Sequence, residues 1–405
     1  MRVLHTSDWH LGRSFHRVGL LGAQAAYLQH LVEVVRSERV DAVLVAGDVY
    51  DRALPAPETV ELLDETLVRL TDAGAQVVLS SGNHDSAIRL GFGSRLLAKG
   101  GVHIRTDLAS IGRPVLVGDL AVYPLPYLEP SLAADRLGAV ERTHAEAIAA
   151  AMQRVRTDVA ARGGPSVVMA HAFVTGAATS DSERDISVGG VSAVHPGVFA
   201  GIDYVALGHL HGRQRVSETV RYSGSPLPLS FSEAGHTKGA WLVDVSRSGV
   251  RVSEVTAPVP RALATMRGQL EDLLRDSRYT AAETAYCQVT LTDTLRPLAA
   301  MERLRRRFPH TLVLRFDPQR ADGPTPSYGA RTRQRADLDL CCDFLAHVRA
   351  GAAANRPERL LLSSALEGSR ACLDEDAERW AVEDRGEGAA VATVGTDRDV
   401  ERGAA

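Results

Sequence analysis

A chain of 405 residues is longer than one hydrophobic core usually serves, and at roughly 150 residues per domain it implies two or three domains. Hydrophobic residues make up 45% and charged residues 24%, which excludes global disorder, and the formal charge of −4 excludes the overall basic field of a strongly cationic nucleic-acid-binding domain. Any contact with DNA must come from a local patch or a partner.

In chain order, Met1 leads directly into Arg2-Val3-Leu4-His5-Thr6, which reads as a strand and not as the basic and apolar regions of a signal peptide. No later stretch is long and apolar enough for a bilayer, so the expectation is a soluble, cytoplasmic protein. Short β-branched runs at Val3–His5, Asp41–Ala46, Gln76–Leu79, Ser166–Ala170 and Tyr204–Leu207 have the length of buried strands. Helical patterns at Ala23–Ser37, Glu58–Leu70 and Arg142–Ala161 lie between them, and this alternation predicts an α/β layer structure. Gly, Ser and Pro turns between Thr219 and Trp241, then strand-like alternation from Leu242 to Val255, close a first domain over 1–257.

Ala257-Pro258-Val259-Pro260 marks a boundary, because proline blocks helix continuation and ladder donors. Beyond it a strand at Tyr286–Thr292, a basic helix at Pro297–Arg307 and a strand at Thr311–Phe316 predict a small β-α-β domain over 261–320. Ala321–Arg335 reads as a linker. Leu338, Cys341, Phe344, Leu345 and Val348, then Leu360–Leu362 with Ala365 and Leu366 after Pro357, predict two short amphipathic helices in a third region, 336–382, before a disordered tail, 383–405. Cys287, Cys341, Cys342 and Cys372 form no Cys-x-x-Cys and read as reduced packing thiols.

Each early strand runs into a polar cluster: Asp8-Trp9-His10, Gly47-Asp48-Val49-Tyr50-Asp51, Gly82-Asn83-His84-Asp85, Ala170-His171 and Gly208-His209-Leu210-His211. In α/β sheets ligands gather beyond the carboxyl ends of strands, so clusters far apart in sequence are expected to converge. Asp-x-His alone is a weak signal; Gly-Asn-His-Asp after an apolar strand is stronger, and the ordered set of five is specific. Phosphodiester hydrolysis requires removal of a barrier on the order of 20 kcal/mol, whereas one general acid or base contributes about 3–5 kcal/mol. A metal pair about 3.5–4 Å apart supplies much of the difference. The inventory suits such a pair: carboxylates of Asp8 and Asp48, the amide oxygen of Asn83, and imidazoles of His10, His171, His209 and His211. An oxygen and nitrogen set without thiolate suits manganese, iron or mixed occupancy better than structural zinc. On an extended segment Asp-x-His and His-x-His would each aim two side chains to one side.

These clusters resemble the calcineurin-like metallophosphoesterase superfamily, and more closely the SbcD family of nuclease subunits from bacterial SbcCD complexes. The likeness extends to His5-Thr6-Ser7-Asp8-Trp9-His10-Leu11-Gly12, Val45-Ala46-Gly47-Asp48-Val49-Tyr50-Asp51, Asp185-Ile186-Ser187-Val188-Gly189-Gly190 and Tyr222-Ser223-Gly224-Ser225-Pro226. It implies a layered metallophosphoesterase β-sandwich flanked by helices, a small α+β capping domain and C-terminal helices. It implies two divalent ions, manganese in this reading, one held by Asp8, His10, Asp48 and His211, the other by Asp48, Asn83, His171 and His209. His84 then resembles the family's non-ligand histidine, which protonates the leaving oxygen or stabilises the transition state. Asp51 resembles the residue that orients and charges it; some nuclease relatives carry histidine there, and Asp85 is the alternative orienter.

The resemblance further implies DNA exonuclease and hairpin- or end-processing endonuclease activity in repair and recombination. The partners would be an SbcC-type coiled-coil ATPase, docked on the C-terminal helices, and a second copy of this chain, giving a homodimer within a heterotetramer without membrane contact. No P-loop pattern occurs in the chain, which assigns ATP hydrolysis to the partner. The alternatives are a phosphatase or cyclic-nucleotide phosphodiesterase of the same superfamily, or a catalytically silent scaffold. Bland readings stand beside the sharp ones. Asp8, Asp51 and Asn83 singly are ordinary turn residues. His171 alone reads as a satisfied histidine. His16, in a loop with Arg13 and Arg17, is either a phosphate contact or part of a solvated loop. Arg303, Arg305, Arg306 and Arg307 are either a DNA-contacting stripe or a solvated helix face.

Overall fold

The computed structural model describes residues 1–184, 193–318, 336–349 and 351–369. The quoted segment Asp185–Gly190, the linker Ala321–Arg335, Cys372 and the tail from residue 383 lie outside the described residues. In chain order the strands before residue 257 are β1 (Arg2–Thr6), β2 (Ser14–Phe15), β3 (Val18–Gly19), β4 (Ala42–Ala46), β5 (Gln76–Ser80), β6 (Val102–Arg105), β7 (Val115–Val117), β8 (Leu120–Pro124), β9 (Ser166–His171), β10 (Tyr204–Gly208), β11 (Gln214–Arg215), β12 (Val220–Tyr222), β13 (Gly239–Ser246) and β14 (Gly249–Thr256).

They form two six-stranded sheets, ordered β14-β13-β1-β4-β5-β6 and β11-β12-β10-β9-β8-β7, and β2 with β3 makes a separate hairpin. Neighbours from β1 to β6 within the first sheet run parallel, as do β8, β9, β10 and β12 in the second. Such strands are buried on both faces, which is why they read as unbroken apolar runs. Alternate side chains then serve different cores. In β4, Ala42, Leu44 and Ala46 join Val122, Val167, Met169 and Ala206 of the second sheet, whereas Val43 and Val45 face helical residues such as Leu31, Leu63 and Leu70. Helices Leu21–Glu38 and Pro57–Asp72 cover the outer face of the first sheet, and Pro130–Leu137 and His144–Arg162 that of the second. This is the helix-flanked β-sandwich that the sequence implied.

Local chemistry sets the boundaries. Pro57 opens its helix at a position where the missing N–H costs nothing, one residue before the expected start. Thr143 caps the next long helix by accepting from the Glu146 amide at 3.2 Å, so that helix begins at His144 and not Arg142. The strand-like stretch from Leu242 to Val255 is a hairpin, β13 and β14. It turns through Arg247-Ser248 into Gly249, whose φ of +129° is a conformation that L side chains rarely adopt.

Beyond residue 257 the expected β-α-β unit gains a leading strand. Strands β15 (Leu263–Gly268), β16 (Tyr286–Leu291) and β17 (Thr311–Phe316) form a sheet in that order, and the basic helix spans Ala300–Arg307, three residues shorter than expected. Leu263, Tyr286, Leu312 and Val313 pack on Phe15, Leu20, Leu227 and Phe231. The described chain divides into two compact units: Met1–Arg267 with Glu271–Thr290 and Met301–Arg315, and Gly268–Leu270 with Leu291–Ala300 and the described residues from Phe316 onward. In the second unit, helices Asp337–Val348 and 356–369 are tied by Arg349 to Glu358 at 2.9 Å and Arg359 to Asp339 at 3.5 Å. Cys287, Cys341 and Cys342 are free thiols. No helix among the described residues is long and apolar enough to cross a membrane.

Candidate metal centre

The carboxyl ends of β1, β4, β5, β9 and β10 meet at one edge of the sandwich, and the five clusters follow them there. The loops after β1 and β4 are laced together by the amides of Asp8, His10 and Leu11, which donate to the carbonyls of Gly47, Asp48 and Val49 at 3.0–3.1 Å. Asp85 stitches the third loop to the second: its carboxylate accepts from the amides of Val49, Tyr50 and Gly82 at 2.9–3.1 Å.

Close approach dictates glycine at the crossing points. A Cβ on Gly82 would lie 2.1 Å from Asp48 Oδ1, and one on Gly47, at φ +83°, would lie 2.3 Å from His171 Nδ1. The side chains are aimed by backbone that is not extended. Asp8, His10, Asp48 and His209 have φ of 51°, 43°, 49° and 102°. Four non-glycine residues at positive φ in one site represent stored strain, sustained by the surrounding lattice of hydrogen bonds. The alternation expected on an extended segment therefore does not apply, and left-handed residues do the aiming.

Three overlapping donor groups result, Asp8–His10–His211, His10–Asp48–His84 and Asp8–Asp48–His171, with the ligand atoms of each group all within 4.8 Å of one another. Asp48 Oδ2 is 3.5 Å from both His10 Nε2 and His171 Nε2, and its Oδ1 accepts from the His84 amide at 2.9 Å. Asn83 Oδ1 lies 2.9 Å from His171 Nε2, and the His209 ring packs edge-on at 5.3 Å from that of His171. His10 Nε2 and His211 Nε2 face each other at 3.1 Å. Of the seven residues expected as ligands, Asp8, His10, Asp48, His171 and His211 fall in these donor groups; His209 lies outside them and reaches the cluster by its ring contact with His171, and all seven but Asn83 are buried.

The fit of divalent cations to this pocket can be judged from the donors. Two imidazole nitrogens that face each other beside two buried carboxylates make a set that accepts more than it donates, and His10 Nδ1 and Asn83 Nδ2 are buried without a hydrogen-bond partner. Burial pushes Asp8 up to about 6 against the opposing pull of His171 and His211. For Asp48 burial acts the same way, but the adjacent His171 and His10 hold it well below the usual carboxylate range. Burial works to lower His171, yet the carboxylates of Asp48 and Asp8 outweigh it and lift it to about 9. Charge concentrated in this way, on oxygen and nitrogen donors without sulfur, fits one or more hard or borderline divalent ions.

His84 is half-buried, with its ring edge-on to His10 at 4.8 Å, and its Nδ1 lies 2.9 Å from the backbone carbonyl of Asp51. Asp51, expected to orient and charge His84, contacts it through this backbone carbonyl. Its carboxylate turns instead to His10 Nδ1 at 3.5 Å and to Arg13 at 3.3 Å. Asp85, the alternative orienter, is committed to three amides. His16 packs on Phe15 and Phe231, at ring distances of 4.8 and 5.3 Å. The arginines of the basic helix have partners within the fold. Arg303 pairs with Glu271, Arg306 with Glu302 at 2.8 Å and Arg307 with Glu283 at 3.0 Å, while Arg305 donates to the Thr311 carbonyl at 3.1 Å.

Sequence reasoning missed the support behind His211. Its Nδ1 is 2.5 Å from Ser182 Oγ, its amide donates to Glu183 at 2.8 Å, and the buried pair Glu233 and Lys238 lies directly behind. Glu233 and Lys238 sit in a stretch rich in Gly and Ser that read only as turns, and nothing local marks them as buried.

Residues 1–213 match the family model for calcineurin-like phosphoesterases, and residues 259–349 match the SbcD C-terminal model, described as the type 5 capsule protein repressor C-terminal domain. Among solved structures the chain is similar to a dimetal phosphatase from Danio rerio, with 13% identity, 64% of this chain and 99% of that one covered, and a TM-score of 0.39. It is also similar to TT1561 of Thermus thermophilus, with 13% identity, coverage of 62% and 98%, and a TM-score of 0.37. With more than half of its length matched by the first of these family models, the chain belongs to the calcineurin-like phosphoesterases, a family of metal-dependent phosphoester hydrolases.

Proposed function

We propose that this protein is an SbcD-like DNA nuclease subunit, cutting ends and hairpins with manganese in repair and recombination. The observation that carries a phosphodiester substrate is the sharing of Asp48 between donor groups on either side of it, next to a half-buried histidine whose Nδ1 is held by a backbone carbonyl. The C-terminal family match directs the reading toward DNA over small-molecule substrates.

In this reading Asp8, His10, Asp48 and His211 hold one ion, and Asp48, Asn83, His171 and His209 the other. Bound, the ions would supply Lewis acidity toward the phosphodiester and acidify a water. The residues of the chain do the rest. The Asp51 carbonyl accepts from His84 Nδ1–H, so His84 Nε2 is the atom that takes up a proton and delivers it to the leaving oxygen. The Asp51 carboxylate, itself paired with Arg13, places its charge 3.5 Å from His10 Nδ1. Asp85 holds two loops in register, keeping His84 beside Asp48.

Partners complete the proposal. Exposed Leu54, Ile88, Phe92 and Leu96 support a homodimer face on the first domain. Exposed Phe344, Val348, Leu360 and Leu361 on the C-terminal helices support docking on a coiled-coil ATPase. The test is cleavage of single-stranded and hairpin DNA by the purified protein with its ATPase partner and manganese. Cleavage that depends on both is the expected result; protein that binds manganese and leaves these substrates whole overturns the proposal.

A further inference from the structure

His211 is gripped at three atoms. Its amide donates to Glu183 Oε1 at 2.8 Å, its carbonyl accepts from Lys238 Nζ at 2.7 Å, and its ring Nδ1 lies 2.5 Å from Ser182 Oγ. Behind Ser182 stands Glu233, whose side chain has no solvent exposure. Glu233 Oε1 accepts from the hydroxyls of Ser182 and Ser180, and Oε2 accepts from Lys238 and from the Leu229 amide.

The donor count settles the direction of this chain. A carboxylate only accepts, so the single hydroxyl proton of Ser182 goes to Glu233 in the shorter contact; Ser180, 3.0 Å from Ser182, has its own proton directed to the carboxylates of Glu183 and Glu233, and a lone pair of Ser182 Oγ is left facing His211. Nδ1 of His211 must then carry a proton, which in the neutral ring leaves the Nε2 lone pair toward His10 and Asp8. A buried ion pair that merely held the turn would need only its two partners; this one places a carboxylate behind the ring and an ammonium on the carbonyl of the same residue.

We propose that Glu233 is the positioning carboxylate of His211, acting through the Ser182 hydroxyl to fix the ring in the Nδ1–H form, with Lys238 keeping Glu233 charged. The arrangement resembles the general pattern in which a metal-bound imidazole donates its other N–H to an acceptor backed by charge. It rests on the reading of His211 as a ligand. Glu233 acts through Ser182, and its effect is on ring orientation and basicity.

The experiment uses the full chain, stripped of metal, and follows Mn2+ binding by calorimetry in His211→Ala, Ser182→Ala, Glu233→Gln and the charge-neutral double variant Glu233→Gln with Lys238→Met. Histidine 15N shifts of the metal-free protein report the His211 tautomer. His211→Ala should lose one manganese site; unchanged binding in this variant removes the ligand reading and the positioning role with it. Ser182→Ala should weaken one site about 10-fold or more while the metal-free Tm stays within about 2 °C, and the His211 signals should move from the pure Nδ1–H pattern to a mixture. Glu233→Gln keeps an acceptor but not the charge, so it should fall between wild type and Ser182→Ala. Loss of a site in His211→Ala, together with Mn2+ binding within about twofold of wild type and an unaltered tautomer in Ser182→Ala, overturns the positioning role and leaves the ligand reading standing. If the Glu233 variants do not fold, Ser182→Ala decides the matter alone.

Discussion

The first sheet brings Asp8, Asp48 and Asn83 to the centre, together with His10 and His84; the second brings His171, His209 and His211 and no carboxylate. Carboxylate oxygen thus comes from one side only, and neither half closes a site alone. The support differs as well. On the first side, loops are stitched by backbone hydrogen bonds and by Asp85. On the second, His171 leans on the Ala46 carbonyl at 3.1 Å and His211 on a network of buried side chains. The carboxylate side should therefore govern whether ions bind, and the imidazole side how tightly and in what geometry.

The largest effect is expected from Asp48→Ala, the residue shared by the donor groups. Metal content measured on the purified variant should fall toward zero and cleavage by several orders of magnitude; full occupancy would show that the two halves do not meet at Asp48. His84→Ala should retain its ions and lose about 10²–10⁴-fold in kcat. An emptied site would place His84 among the ligands, which its membership of a donor group with His10 and Asp48 makes a live contrast. Asp51→Asn should be milder, about 10-fold in metal affinity, because the carboxylate lies against His10, while kcat at saturating metal stays within about twofold of wild type. A large loss of kcat at saturating metal would restore the carboxylate to His84.

Stability against pH probes the seam between the sheets. His5 is buried between Tyr204 and the Leu207 carbonyl, and burial lowers it to about 3 from an ordinary value of 6.5. The unfolded chain therefore binds this proton first. The contribution is whole above pH 6.5 and is lost as pH falls toward 3, at up to ~1.4 kcal/mol per pH unit. Denaturant titrations of metal-free His5→Gln should show a shallower acid slope than wild type. The smallest effect is expected outside both sheets: Arg306→Ala should change stability by less than about 0.5 kcal/mol and leave DNA affinity unaltered, since its guanidinium is already paired on an exposed helix face.

Much of the site was legible because its residues follow strands. A buried parallel strand must be apolar, so its end is sharply marked, and Asp8, Asp48, His171 and His209 each fall within two residues of such an end or at it, with Asn83 one residue further on. What was not legible is the direction of a side chain once the backbone leaves the strand. The left-handed conformations of Asp8, His10 and Asp48 break the alternation that spacing suggests, and nothing local predicts positive φ at a histidine. The atom by which Asp51 reaches His84 was not legible for a related reason: sequence names side chains, and here the backbone carbonyl makes the contact. The arginines of 303–307 read equally as stripe or solvated face, in part because the partners of Arg303 and Arg307, Glu271 and Glu283, lie 32 and 24 residues away.

Sequence by itself determined the alternation of strand and helix, the donor inventory, and hence that a phosphoester hydrolase site could form, because these depend on residue type and short-range periodicity. Tertiary structure decided which donors share Asp48, that Asp51 serves His10 with its carboxylate and His84 with its carbonyl, and that Glu233 and Lys238 stand behind His211. Those outcomes depend on long-range burial and on backbone torsions that the packing of two sheets imposes, and no local pattern encodes either.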